Sequence, residues 1–299
     1  MKFEGWDDGK IRTDLALEAR ESFPGDGGEI RGVELQEWKS SNEKIAFTEV
    51  IIKDQDGAET MGKPIGTYLT LEAAELAEKD DDFHRDVVGE LAKQIQKLLQ
   101  KRGVMKSTGV SFCAASVLVI GLGNIDATPD SLGPRVLENL QVTRYLSLEY
   151  GKEFCERNGY PILSGLTPGV MAQTGMETAE IVRGVVRETK PDALIVVDAL
   201  AARNAKRLGT TIQLSDTGIH PGSGVGNHRN GLTEEVLHIP VFAIGVPTVI
   251  SIETMVHDAV GGAAELQIGP MFVTPHDIDE RVKTLSYTIS EAIHEALFR

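Results

Sequence analysis

Cysteine, aromatic side chains, basic residues and long apolar runs are all scarce in this chain, and each shortage closes off a class of function. Two cysteines in 299 residues, Cys113 and Cys155, are too few for a disulfide scaffold or a cysteine zinc site. Neither has a nearby histidine or a glycine-rich elbow, so both are expected to be buried structural thiols. No stretch approaches the ~18 apolar residues of a membrane helix, and the start, MKFEGWDDGK, lacks the apolar segment of a signal peptide. A cytoplasmic protein with no membrane partner is expected. Lys and Arg number 30 against 45 Asp and Glu, giving a net charge of −15 and a pI near 4.9. That balance opposes direct binding of nucleic acid, whose phosphates need clustered cations.

Several familiar motifs are also missing. Gly121-Leu122-Gly123 follows a strand-like run, but the third glycine of a dinucleotide fingerprint falls at Asp126, where a carboxylate meets the pyrophosphate. Gly222, Gly224 and Gly226 could form an anion nest, yet no Walker lysine follows, and Ser223 lacks a nucleophile elbow. His294-Glu295 has Phe298 where a zincin needs its second histidine. No metal and no cofactor are expected. The rival is a His, Asp and Asp site that includes His220, whose plainer role is to brace a glycine-rich loop.

What is present is a pair of buried-strand runs, SVLVIGLGNIDATPDSLGP from Ser116 to Pro134 and ALIVVDALAAR from Ala193 to Arg203. Branched apolar residues (Val117 to Ile120 and Leu194 to Val197) read as strands covered on both faces, each ending in a loop that carries a carboxylate, Asp130 or Asp198. Ligands of open α/β sheets bind beyond the carboxyl ends of strands, so two acids 68 residues apart in sequence can meet in one crevice. An acid directly after four apolar residues, as Asp198 is, sits where ionisation is costly unless the site uses it. Asp130 taken alone is as well explained as a cap.

Around these runs the pattern alternates. Thr13 to Ser22 reads as a short helix capped by Thr13, and Val33, Leu35, Ile45, Phe47 and Ile51 as a hairpin turning at Ser40 to Asn42, with a further strand at Tyr68 and Leu69. Phe83 to Leu99 has helical spacing with the acidic run Asp80 to Asp82 at its start. Pro134 is expected at a first helical position, and Thr174 with Glu177 as a capping box. Strands are expected at Thr210 to Leu214 and Val241 to Val246, separated by a loop with five glycines from Gly218 to Gly231. A helix capped at Thr274-Pro275-His276-Asp277 carries the stripe from Ile278 to Leu297. The fold class is α/β, a mostly parallel sheet with helices on both faces and an N-terminal β-hairpin extension.

The segments RTDLALEARE, GLGNIDATPDSLGP, TPGVMAQTGMET, VVDALAAR, SDTGIHPGSGVGNHR, IGVPTV and FVTPHDID, in this order from Arg12 to Asp279, resemble the germination protease family of spore-forming bacteria. The resemblance implies a fold similar to the hydrogenase-maturation peptidases and an atypical aspartic endopeptidase acting on small acid-soluble spore proteins, with Asp130 and Asp198 as its acids. It also implies a homotetramer located in the developing spore core. Family substrates present an acid, a large apolar residue, Ala, and an acid two positions on. Thr13-Asp14-Leu15-Ala16-Leu17-Glu18 has that order, which implies a zymogen that cuts itself between Asp14 and Leu15. The expected organisation is a pro-segment, 1–14, and a peptidase domain, 15–299, with the hairpin region at 30–70 and the α/β core at 104–299. Many members carry a longer insertion where His257 to Met271 stands here. Two rivals are a metal-assisted peptidase of the hydrogenase-maturation kind and a non-enzymatic binder of spore proteins.

Overall fold

Apolar runs too long for one solvated face become the centre of a single sheet, and amphipathic runs become the helices that cover it. The computed structural model describes residues 13–23, 30–41, 43–76, 80–105, 115–220, 230–260 (side chains to 256) and 271–298. Cys113, Ser223 and the glycines 222, 224 and 226 lie outside the described residues. In chain order, α1 (Ala16–Glu21) precedes β1 (Val33–Lys39), β2 (Ala46–Ile52), α2 (Gln55–Met61) and β3 (Gly66–Glu72). The long helix α3 (Asp81–Lys101) leads to β4 (Ser116–Gly121), then α4 (Leu132–Asn139), α5 (Arg144–Tyr150), α6 (Lys152–Asn158) and β5 (Ile162–Leu166). Next come α7 (Met171–Thr174), α8 (Thr178–Thr189), β6 (Ala193–Ala202), β7 (Thr211–Ser215) and α9 (Glu234–Leu237). The chain then runs through β8 (Val241–Ser251), α10 (Ile252–Val260), β9 (Phe272–Val273) and α11 (Ile278–Phe298).

The strand order is β1-β2-β3-β7-β8-β6-β4-β5, with β9 added beside β8. Among the described residues only β5-β4-β6-β8 run parallel, and every other neighbouring pair is antiparallel. The expected mostly parallel sheet is therefore a mixed one. Strand signals separated by helices imply parallel crossovers, but the described part of the β7–β8 connection holds only the single helical turn α9, and β8 pairs with β7 antiparallel. The strands from Val33 to Ile52 form no separate extension. They continue the main sheet through β3, which pairs with β7 from Tyr68–Ser215 to Glu72–Thr211.

One face is an apolar layer in which Leu91, Ile95 and Leu99 of α3 meet Val282, Leu285 and Ile289 of α11 over the sheet. On the other face, α8 packs Ala179, Val182 and Val186 onto Leu118, Ile120, Leu194 and Val196. Asp80 caps α3, accepting from the N–H groups of Asp82 and Phe83 at 3.0 and 3.1 Å. Other caps differ from expectation. Pro134 is the third residue of α4. Glu177 stands at the start of α8, its N–H held by Glu180 at 3.0 Å, while Thr174 bonds to Met176. Thr274 donates to the Thr248 carbonyl at 2.8 Å instead of capping α11. Cys155 is buried.

Candidate active site

Asp130 ends a short 3₁₀ turn, Thr128–Asp130, that packs against β6 and β8. The loop that delivers it is tied tightly to the sheet. Leu122 N–H donates to the Val197 carbonyl at 2.8 Å, and a Cβ on Gly133 would lie 2.3 Å from the Leu122 oxygen and 2.6 Å from the Val197 oxygen, so a larger residue there would push the loop off β6. Gly123 has φ +112° and passes the Asp130 backbone so closely that a Cβ would sit 1.9 Å from its carbonyl oxygen. Asn124 N–H donates to Asp130 Oδ2 at 2.8 Å, which aims the partly exposed carboxylate.

Asp198 is only 6% exposed and lies inside β6, not in a loop after it. The strand runs on to Ala202 because β8 supplies a partner as far as Ile250. Asp198 Oδ1 accepts from the following Ala199 N–H at 3.0 Å. Because the Leu122 loop bonds to Val197, the turn that ends on Asp130 is fastened one residue from Asp198. The two sequence-derived acids thus belong to adjoining elements.

β4 pairs with β6 only as far as Gly121–Val197, and beyond that point the N-terminal segment takes over. Asp14 N–H donates to the Ala201 carbonyl at 3.1 Å, and Ala201 N–H donates to Asp14 Oδ2 at 2.9 Å. Leu15 is fully buried among Leu200, Ala202, Leu208 and Ile250, and Ala16 among Val50, Ile52, Met61 and Tyr68. Glu18, 2% exposed, accepts from the N–H groups of Arg203 and Asn204 at 2.7 and 2.9 Å, and its Oε1 lies 3.4 Å from Arg207. Thr13 does not cap α1. Its hydroxyl donates to Glu18 and accepts from Leu15 N–H, and Leu15 stands at the N-cap.

Arg207 also holds Glu21 through two 2.7 Å bonds and Glu72 at 2.9 Å. Burial opposes its charge, but those bonded carboxylates raise its pKa further above the ordinary arginine value. The Asp14 carbonyl accepts from Lys63 Nζ at 2.8 Å and from Gln213 Nε2 at 3.3 Å. Burial lowers the Lys63 pKa, opposed by Asp14 and Glu18. Lys63, Arg207 and Gln213 were not singled out by the sequence. A polar Gln213 between Ile212 and Leu214 was the one available signal.

His220 is exposed, with its ring against Gly231, where a Cβ would lie 2.6 Å from Cε1. It braces the loop. Among the described residues no group of three or more His, Cys, Asp or Glu is placed to hold a metal ion. No helix among them is long and apolar enough to cross a membrane.

The family profile described as germination protease matches residues 12–262. A germination protease of Caldanaerobacter subterraneus subsp. tengcongensis is 41% identical, with 96% of this chain and 94% of that protein covered. One from Clostridium tetani is 36% identical over 96% and 95% of the two chains. One from Bacillus subtilis is 44% identical over 84% of this chain, which spans 66% of that longer relative. The profile covers most of the sequence, including the stretch that holds Asp130 and Asp198, and the chain belongs to the germination protease family.

Proposed function

We propose that the chain is an endopeptidase of spore germination that degrades small acid-soluble spore proteins, with Asp130 and Asp198 as an acid and base pair. One carboxylate activates a water for attack on the peptide carbonyl, and the other protonates the leaving amine, roles open to two neighbouring carboxyls with separated proton affinities. The protein is made as a precursor with pro-segment 1–14 and cuts itself between Asp14 and Leu15. The observation that carries this reading is that the suspected self-cleavage segment is seated on β6, three residues from Asp198 at Ala201, with Asp14, Leu15, Ala16 and Glu18 each held in its own place. Assembly as a homotetramer in the spore core goes with the family reading. Leu35 on the edge strand β1 and Tyr287 on α11 are 42% and 51% exposed and offer apolar contact positions.

The test is incubation of the purified full chain at mildly acidic pH, followed by N-terminal sequencing and by digestion of a small acid-soluble spore protein. A new terminus at Leu15 and digestion of the substrate are expected. Asp130→Asn and Asp198→Asn should each lower both rates by about 10²–10⁴-fold, with the double variant no worse than either, because the pair acts as a unit. Either single variant at wild-type rate removes that residue from the mechanism. A stable monomer by light scattering at micromolar concentration removes the tetramer.

A further inference from the structure

We infer that Lys63 and Gln213 are catalytic residues that hold the carbonyl oxygen of the bond to be cut and stabilise the charge it acquires. The inference rests on the self-processing reading. The Asp14 oxygen receives two side-chain N–H donors from elements far apart in sequence, Lys63 Nζ at 2.8 Å and Gln213 Nε2 at 3.3 Å. The same Gln213 amide accepts from Ala16 N–H at 2.7 Å, so one side chain fixes the peptide on both sides of the Asp14–Leu15 bond. Two N–H donors converging on one carbonyl in a half-buried site is the arrangement that stabilises a tetrahedral oxyanion.

Both donors stand on rigid supports. Lys63 follows Gly62, the left-handed residue that ends α2. Its own N–H bonds to the Ala58 carbonyl at 3.2 Å, and Tyr68 Oη donates to the Pro64 carbonyl at 2.9 Å. Gln213 sits in mid-sheet, paired with Thr70 on one side and Gly245 on the other. Gly245 in turn pairs with Asp198. Asp198 and Gln213 therefore share a row and a face two strands apart, roughly 10 Å between backbones, with a residue lacking a side chain between them. Leu200, which packs with Leu15, leans into that gap, 2.4 Å from where a Gly245 Cβ would be. The row sets a carboxylate and a carbonyl-binding amide on the face of the sheet on which Leu15 packs against Leu200.

The step balances. A water oxygen bonds to the Asp14 carbonyl carbon as one carboxylate takes its proton, and the carbonyl π pair moves onto the oxygen held by Lys63 and Gln213. Collapse breaks the bond to the Leu15 nitrogen, which takes a proton from the other carboxyl, leaving a new α-carboxylic acid on Asp14 that passes its proton to the Leu15 amine, while the two catalytic carboxyls have exchanged protonation states.

The experiment follows self-processing of the full chain by mass, a single-turnover rate free of substrate binding, in the wild type, Lys63→Met, Gln213→Leu and Asp198→Asn. Hydrogen exchange at the Asp14 and Ala16 amides reports in parallel how much of the segment is docked. Lys63→Met and Gln213→Leu are each expected to slow cutting about 10²–10³-fold per docked molecule. Lys63→Arg should recover part of the rate. If loss of rate only tracks loss of docking, or if Lys63→Met cuts at the wild-type rate, the two residues merely seat the segment and the inference fails. A wild type that never cuts after Asp14, or an Asp198→Asn that still does, overturns the self-processing reading itself and the inference with it.

Discussion

Two of the covers over the sheet are closed by different physics. In one, α3 and α11 press Leu91, Ile95, Val282, Leu285 and Ile289 into a dry layer whose stability comes from apolar area. Over β3, β7 and the far end of β6, the cover is the segment from Thr13 to Glu21, seated largely by directional bonds to Ala201, Arg203, Asn204, Gln213 and Lys63. The surface beneath is polar and imperfectly satisfied, since Thr70 and Thr211, both buried on that side, have hydroxyls without a hydrogen-bond partner among the described residues. Apolar layers resist removal as a block, whereas a cover held by a few polar bonds can be released at one point. The contrast separates a cover that resists removal from one that can be released locally.

The comparison breaks most sharply in the apolar layer. Leu285→Ala, at a fully buried position, should cost about 2–5 kcal/mol of global stability, read by denaturant unfolding, and leave the exchange of Asp14 and Ala16 amides relative to global unfolding unchanged. Glu18→Gln should cost less, about 1.5–3 kcal/mol, because it weakens charge-assisted bonds to Arg203 and Asn204. That loss should appear as faster proteolysis around residues 22–30 with a nearly unchanged unfolding midpoint. A midpoint shift as large as that of Leu285→Ala would mean that the two covers unfold together.

The smallest effect concerns pH. Burial lowers the Lys63 pKa from 10.5 in the docked state, so between that lowered value and 10.5 the undocked segment binds more protons than the docked one. Docking therefore strengthens as pH rises through that window and is weakest below it. Protease protection of the segment should climb on the alkaline side in the wild type and climb less in Lys63→Met. Equal slopes would show that the amine is not desolvated by docking.

Much of the scaffold was legible because its signals are local. The runs at Val117 and Leu194, the stripe of α11 and the acidic start of α3 each carry their own periodicity. Both proposed acids could be singled out because each follows such a run. Asp198 was placed in a loop when it lies within β6, since the sequence of β6 does not reveal that β8 continues beside it to Ile250. The antiparallel half of the sheet was hidden for a similar reason, because β3 meets β7 across a long separation that no local pattern records. Arg207 shows the same limit most plainly. Its partners Glu18, Glu21 and Glu72 lie on α1 and β3, and only the folded chain brings them to one guanidinium.

A cut after Asp14 leaves the buried Leu15, Ala16 and Glu18 on the protein, joined to β1 by a short stretch of chain. A tethered occupant of this kind faces its own groove at an effective concentration on the order of millimolar. If the segment occupies the substrate's groove, as proposed, cleavage alone would exchange a covalent blockade for a competitive one. On that proposal a substrate would enter in proportion to its own concentration against that of the tether, so dense packing of substrate protein around the enzyme would favour turnover, and as the substrate is consumed the new terminus would close the groove again.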